Sequence, residues 1–259
     1  MKVNRRTFLK TSAAFAGWSI LPTGAWSNPL NSRFCTAHIG VGGMGWNDLK
    51  RVAAHAQVQV VGMADVDRTN LYHERTDKFT VAARFADYRE LLRKLGNKVD
   101  GVVISTPDHT HYPATRMAME MNKAVYCQKP LTHTVAEARA LTSQAKKTGL
   151  VTQMGIQVHS ADAYRMAVNF LQQGIIGKVS KVYAWSNKSW GYDGAPYQGE
   201  DPVPEHLDWN LWLGVAGERP YLAEKYHPEQ WRRLNDFGTG TLGDMGVHIL
   251  DTPYGALGL

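Results

Sequence analysis

Three glycines constrain this chain more than any other feature. Gly40, Gly42 and Gly45 form a G-x-G-x-x-G spacing between an apolar run and a stretch of helical character. Each glycine has a separate mechanical reason. The first permits a tight turn after a strand, the second lets a phosphate approach the backbone, and the third lets helix and strand pack closely. The following helix N-terminus then offers free N–H groups to an anion. The candidate phosphate-contact residues are therefore Gly40, Gly42, Gly43, Met44 and Gly45. Asp65 lies 20 residues beyond Gly45, where the next strand ends. A carboxylate there accepts both ribose hydroxyls and repels a 2′-phosphate, so the pattern points to a dinucleotide and favours NAD over NADP. Arg68 keeps NADP open, and Asp67 is a second acid able to share the role of Asp65.

The rest of the first half fits that reading. Apolar strand-like runs at 34–39, 58–64, 79–85, 99–105, 124–127 and 150–154 alternate with helical stretches. Asp87 with Glu90, and Thr134 with Glu137, supply helix-start signals. The expected fold class is α/β, a Rossmann-type doubly wound parallel sheet over 34–155. An incomplete α+β second domain follows over 156–259. There, 161–173 reads as a helix and 179–185 as a strand. A loop rich in Gly, Pro and aromatic residues comes next. Its rings suit stacking on sugar C–H faces, but packing in the core of the second domain is the better-supported role. Two cysteines, Cys35 and Cys127, exclude a disulfide framework and a multi-cysteine zinc site. His109 and His111 alone are an incomplete ligand set, so no metal is expected.

The charge of +6 has a local origin. Lys2, Arg5, Arg6 and Lys10 lie in residues 1–27, which contain no Asp or Glu, and removing them leaves +2 for the remainder. Nucleic acid is therefore not implied as a partner. The Arg5-Arg6 pair, Phe8-Leu9-Lys10, a short weakly apolar run and Ala25-Trp26-Ser27 resemble a twin-arginine signal peptide. A basic helix or uncleaved anchor is the alternative. The expectation is an exported, periplasmic protein carried by the twin-arginine machinery over 1–27.

Beyond the glycine loop, Thr106-Pro107 with His111, then Gln128-Lys129-Pro130, then Gly243-Asp244-Met245-Gly246-Val247-His248-Ile249-Leu250-Asp251 follow in order. Together these motifs resemble the Gfo/Idh/MocA oxidoreductases. The resemblance implies hydride transfer between a sugar or polyol carbon and NAD(P), and homo-oligomers occur among such proteins. It assigns Lys129 to orient the reacting oxygen, His248 to accept the proton, and Asp244 to hydrogen-bond substrate or lysine. It places Thr106, Pro107, His111, Gln128 and Lys129 around the cofactor. On spacing alone, Asp244 and His248 sit one turn apart on a helix face, which fits a helix cap and a packed histidine better. The family usually has Glu where this chain has Gln128, which changes the field on Lys129. Some relatives are NAD-dependent glycosidases that oxidise transiently, and their site needs are the same. The family's second-domain sheet mostly follows the Asp-His helix. The sequence therefore reads as C-terminally truncated, with a dinucleotide- or sugar-binding protein without turnover as a further alternative.

Overall fold

The computed structural model describes residues 33–259, so the expected signal peptide at 1–27 lies outside the described residues. Residues 35–259 form one compact unit.

Six strands build the sheet: β1 (Phe34–Ile39), β2 (Val58–Ala64), β3 (Ala83–Phe85), β4 (Gly101–Ile104), β5 (Ala124–Gln128) and β6 (Thr152–Gly155). Their order is β3-β2-β1-β4-β5-β6. The pairs β1–β4, β2–β3, β4–β5 and β5–β6 are parallel, with Ala37 opposite Val102 and Val102 opposite Val125. All four residues of β4 are buried, which is why it reads as an unbroken apolar run: both faces of a central parallel strand are covered.

Helices fill the crossovers: α1 (Gly43–Ala53), the short α2 (Arg68–Leu71) and α3 (Glu74–Asp77), α4 (Tyr88–Leu95), α5 (His111–Glu120) and α6 (Val135–Thr148). Asp87 caps α4 by accepting from the Arg89 N–H at 2.7 Å, while Glu90 pairs with Lys94 instead of closing back on the cap. Thr134 and Glu137 form the full reciprocal box that starts α6: Glu137 N–H donates to Thr134 Oγ1 at 3.2 Å and Thr134 N–H to Glu137 Oε2 at 2.9 Å.

After β6 come α7 (Asp162–Gln172), α8 (Trp209–Leu213), α9 (Gly240–Ile249) and α10 (Asp251–Leu257). Trp212, Tyr221, Tyr226, Trp231 and Phe237 pack into one buried cluster with Leu207 and Leu213, and Val66, two residues beyond β2, packs against it. Trp209 stacks on Trp212, with centroids 4.8 Å apart at 15°. These rings thus serve as core. The cluster is fastened to the sheet by Asp67, which pairs with Leu207 in an isolated bridge and accepts from His206 Nδ1 and His227 Nε2, each at 3.1 Å.

The segment 179–185 corrects the sequence reading: it forms no strand. Tyr183 and Trp185 are 78% and 80% exposed. A β-type pattern describes side chains that fit a pleated surface; it supplies no hydrogen-bond partner, and among the described residues none pairs with this segment.

Candidate active site

The site lies where strand order reverses, between β1 and β4, outside the carboxyl ends of the strands. Gly40 has φ +79°, and a Cβ there would lie 2.6 Å from Ser105 O. A Cβ on Gly45 would lie 2.1 Å from Gly40 O, so turn and helix touch backbone to backbone. The N-cap Gly42 offers no side chain, and the first turn of α1 contains no acid. An uncapped helix start with glycine at the approach is a cradle that fits a pyrophosphate. Gly43 and the half-exposed Met44 stand at its rim.

Asp65 holds this loop. Its Oδ2 accepts from the Val41 and Gly42 N–H groups at 2.9 and 3.2 Å, and its Oδ1 accepts from Asp67 N–H at 2.9 Å. Burial pushes the Asp65 carboxyl upward, against the pull of those bonds. Arg68 turns away from Asp65, with its guanidinium on the Glu205 carbonyl. Burial also opposes ionisation of Asp67, but bonds from His227 and Thr69 outweigh it and hold this acid well below the usual carboxylate range. Asp67 therefore serves as a fastener between the sheet and the aromatic cluster.

Past β4, the Thr106 hydroxyl is buried without a partner, and Pro107 precedes a single turn at Asp108–Thr110. His111 places Nδ1 2.6 Å from Pro130 O and Nε2 2.8 Å from Thr106 O, which ties the β4 and β5 loops together and leaves neither ring nitrogen for a ligand. His109 is buried between Trp212 and Phe237, with Nε2 3.1 Å from Trp212 O, and burial lowers its pKa to about 4.

Gln128 points back into the fold. Its Nε2 donates to Asp48 Oδ2 at 2.8 Å, where Ser105 Oγ also donates at 2.7 Å. Its Oε1 accepts from Lys129 N–H and Gln157 Nε2, each at 3.2 Å. Asp48 thus places a carboxylate beside the amide of Gln128.

Lys129 leads to the C-terminal half. Its Nζ donates to Asp244 Oδ1 at 2.6 Å and to Asp244 O at 2.8 Å, across 115 residues of sequence. Trp190 Nε1 donates to Asp244 Oδ2 at 2.9 Å, and Arg232 Nε lies 3.7 Å from Oδ1. Burial opposes ionisation of Asp244, but the bond and charge of Lys129, helped by Arg232 and Trp190, hold its carboxyl below the ordinary range. His248, one turn later in α9, has Nδ1 buried without a partner. Burial and the charge of Lys129 lower its pKa, which favours the neutral imidazole that can accept a proton.

Asp108 is the acid that sequence reasoning passed over. It is 5% exposed, and burial raises its pKa to about 6 against the charges of His111, Lys129 and Arg232. Arg232 was also missed, because the short turn Gln230–Arg233 carries no periodic signal; Trp190 lies in the aromatic-rich loop, whose rings sequence reasoning weighed for sugar stacking but favoured as core. Of the residues expected to act, the structure brings Lys129, Asp244 and His248 together and gathers the glycine loop with Asp65. Among the described residues no cluster suits a metal ion.

Two models of one family match the chain: "oxidoreductase family, NAD-binding Rossmann fold" over residues 34–156 and "oxidoreductase family, C-terminal alpha/beta domain" over 166–257. The chain is 27% identical over 148 residues to inositol 2-dehydrogenase of Salmonella typhimurium, covering 56% of this chain and 43% of that protein. It is 28% identical over 194 residues to a glycosyl hydrolase family 109 protein of Stenotrophomonas maltophilia, covering 70% and 42%. In fold it resembles GenD2 from gentamicin A biosynthesis, solved in complex with NAD, with a TM-score of 0.60 at 20% identity over 89% of this chain and 55% of that one. The chain spans less than half the length of these two curated relatives. With the glycine cradle inside the first matched range and the Asp244–His248 helix inside the second, the chain belongs to the Gfo/Idh/MocA oxidoreductase family.

Proposed function

We propose that this chain is an exported oxidoreductase that moves hydride between a carbinol carbon of a sugar or polyol and NAD. The carrying observation is the Lys129–Asp244 contact at 2.6 Å with His248 one turn away, at the carboxyl edge of the sheet. When bound, the nicotinamide supplies a hydride acceptor or donor. Lys129 donates a hydrogen bond to the substrate oxygen and stabilises the negative charge that builds there as the O–H proton leaves. His248, kept neutral, accepts that proton, and a bound nicotinamide would take the hydride from the same carbon. Asp244 holds Lys129 on the site side. Asp65 selects NAD over NADP, because a 2′-phosphate would meet its carboxylate. The Arg5-Arg6 leader over 1–27 directs export by the twin-arginine route. Replacing both arginines with lysine is expected to leave the protein in the cytoplasm.

NADH formation by purified protein across a panel of inositols and aldoses tests the reading. Turnover with at least one polyol is expected. Absence of turnover across the panel, in protein that shows an NAD-induced thermal shift, would overturn it. Similarity to the family 109 glycosyl hydrolase favours a second reading, cleavage of a glycoside through transient oxidation on the same residues. Release of the aglycone from an aryl glycoside, with no cofactor added, would favour that reading.

A further inference from the structure

Trp190 joins the proposed reaction centre to a group of cations. Its indole Nε1 donates to Asp244, and its ring is approached by Lys188 Nζ and by the guanidinium groups of Arg232 and Arg233, each 5.7 Å from the centroid. The arrangement is anchored on both sides. Trp190 N–H donates to Thr241 Oγ1 at 2.9 Å and Trp190 O accepts from Thr241 N–H at 3.0 Å, which pins the segment to the start of α9. Arg232 and Arg233 sit on the turn Gln230–Arg233, held by the buried Trp231.

The charges here do not balance. Lys129 and Arg232 share a single carboxylate, Asp244. Asp108, another nearby acid, is buried, and among the described residues it forms no ion pair with Lys188, Arg232 or Arg233. Among the described residues, neither Lys188 Nζ nor Arg233 has a carboxylate within ion-pair distance. Among the described residues the Arg233 guanidinium makes no hydrogen bond either, and its Nε is buried without an acceptor. A ring face answers part of a cation's charge, but the in-plane N–H donors of a guanidinium still require acceptors.

We infer that this wall recognises an anionic group, a carboxylate or a phosphate, carried by the sugar or polyol substrate, with Arg233 as its principal contact. A guanidinium fork matches either anion in bidentate fashion, and an indole face suits the C–H surface of a sugar ring. The wall stands one side chain from Asp244, so the anionic group belongs on a different carbon from the one that reacts. This inference rests on the oxidoreductase reading of the same site and narrows its substrate class.

The test is calorimetric titration of the full chain, saturated with NAD, against D-glucuronate, D-glucose 6-phosphate and D-glucose. At least one anionic sugar is expected to bind about tenfold or more tightly than glucose, and Arg233→Gln to reduce that ratio by about tenfold. Arg233→Lys, which keeps the charge but not the fork, is expected to recover part of it. The glucuronate and phosphate arms decide which anion is preferred. Equal binding of anionic and neutral sugars, a ratio that Arg233→Gln leaves intact, or no binding of any of the three overturns the inference. If Arg233→Gln fails to show an NAD-induced thermal shift, Arg233→Lys carries the comparison. NADH formation in the same samples is a separate readout. An anionic sugar that binds in an Arg233-dependent way without producing NADH overturns the oxidoreductase reading and leaves the anion site standing.

Discussion

Lys129 owes its direction to two acceptors on one residue, the carboxylate and the carbonyl of Asp244. A lysine on a loop otherwise extends into water. Lys129→Ala is expected to lower turnover by about 100-fold or more, since it removes a donor aimed at developing charge. Measuring the NAD-induced thermal shift beside turnover separates that loss from misfolding. Asp108 yields a prediction about pH. Its folded pKa of about 6 lies above the ordinary carboxylate value of 3.8, so the folded state binds the extra proton and stability falls as pH rises between those values. The difference corresponds to about 3 kcal/mol in the fully ionised range. Asp108→Asn is therefore expected to raise the melting temperature at pH 8 and change it little at pH 4, and melting curves at the two pH values check this. Gln128 and Asp48 make a third case. Gln128→Glu would set two carboxylates 2.8 Å apart in a buried place and destabilise the protein above the acid range, whereas adding Asp48→Asn restores one amide and one carboxylate. Recovery of thermal stability in the double variant, relative to Gln128→Glu, is the expected result.

At the scale of elements, what could be read from sequence depended on whether the signal was local. The Thr134–Glu137 box is local, spans four residues and forms as read. Thr134→Ala is expected to cost about 1 kcal/mol, measured by denaturant unfolding, because it orphans an N–H of the first turn of α6. The glycine loop was legible for the same reason: its spacing is the mechanics of one turn. The 179–185 segment was not, because a strand is completed by a neighbour that local pattern does not specify. After β4 the chain first makes a tight turn at Asp108–Thr110 before α5 begins, a detail that helical periodicity does not mark. The site shows the same division. Lys129, Asp244 and His248 were found through ordered motifs. Asp48, Trp190 and Arg232 reach the site from 80, 54 and 12 residues away from their partners Gln128, Asp244 and Asp244, separations that no local motif encodes.

At the scale of the molecule, two side chains act as fasteners between the aromatic cluster and the sheet, beside backbone bonds such as Asp208 N–H to Val66 O and Arg68 N–H to His206 O. His109 reaches from the β4 loop to Trp212 O and packs on Trp212 and Phe237. Asp67, at the start of α2 just beyond β2, reaches His206 and His227. The second fastener also meets the cofactor cradle, because Asp67 N–H donates to Asp65, whose other oxygen holds the Val41 and Gly42 N–H groups. Loosening the cluster should therefore be felt at the glycine loop. Asp67 is held ionised in the folded state, so its contribution is present above the ordinary carboxylate pKa and is lost as pH falls through the lower folded value. Asp67→Asn keeps the size of the side chain while weakening its acceptance from the two histidines and Thr69. It is expected to cost about 1–3 kcal/mol at neutral pH, the range for a buried group left with poorer partners. It is also expected to weaken NAD binding while leaving the spacing of Lys129 and Asp244 untouched. Tryptophan fluorescence during unfolding reports the first effect and NAD titration the second. A fall in stability with unchanged NAD affinity would show that the cluster and the cradle are fastened independently, and that Asp65 sets the loop without help from Asp67.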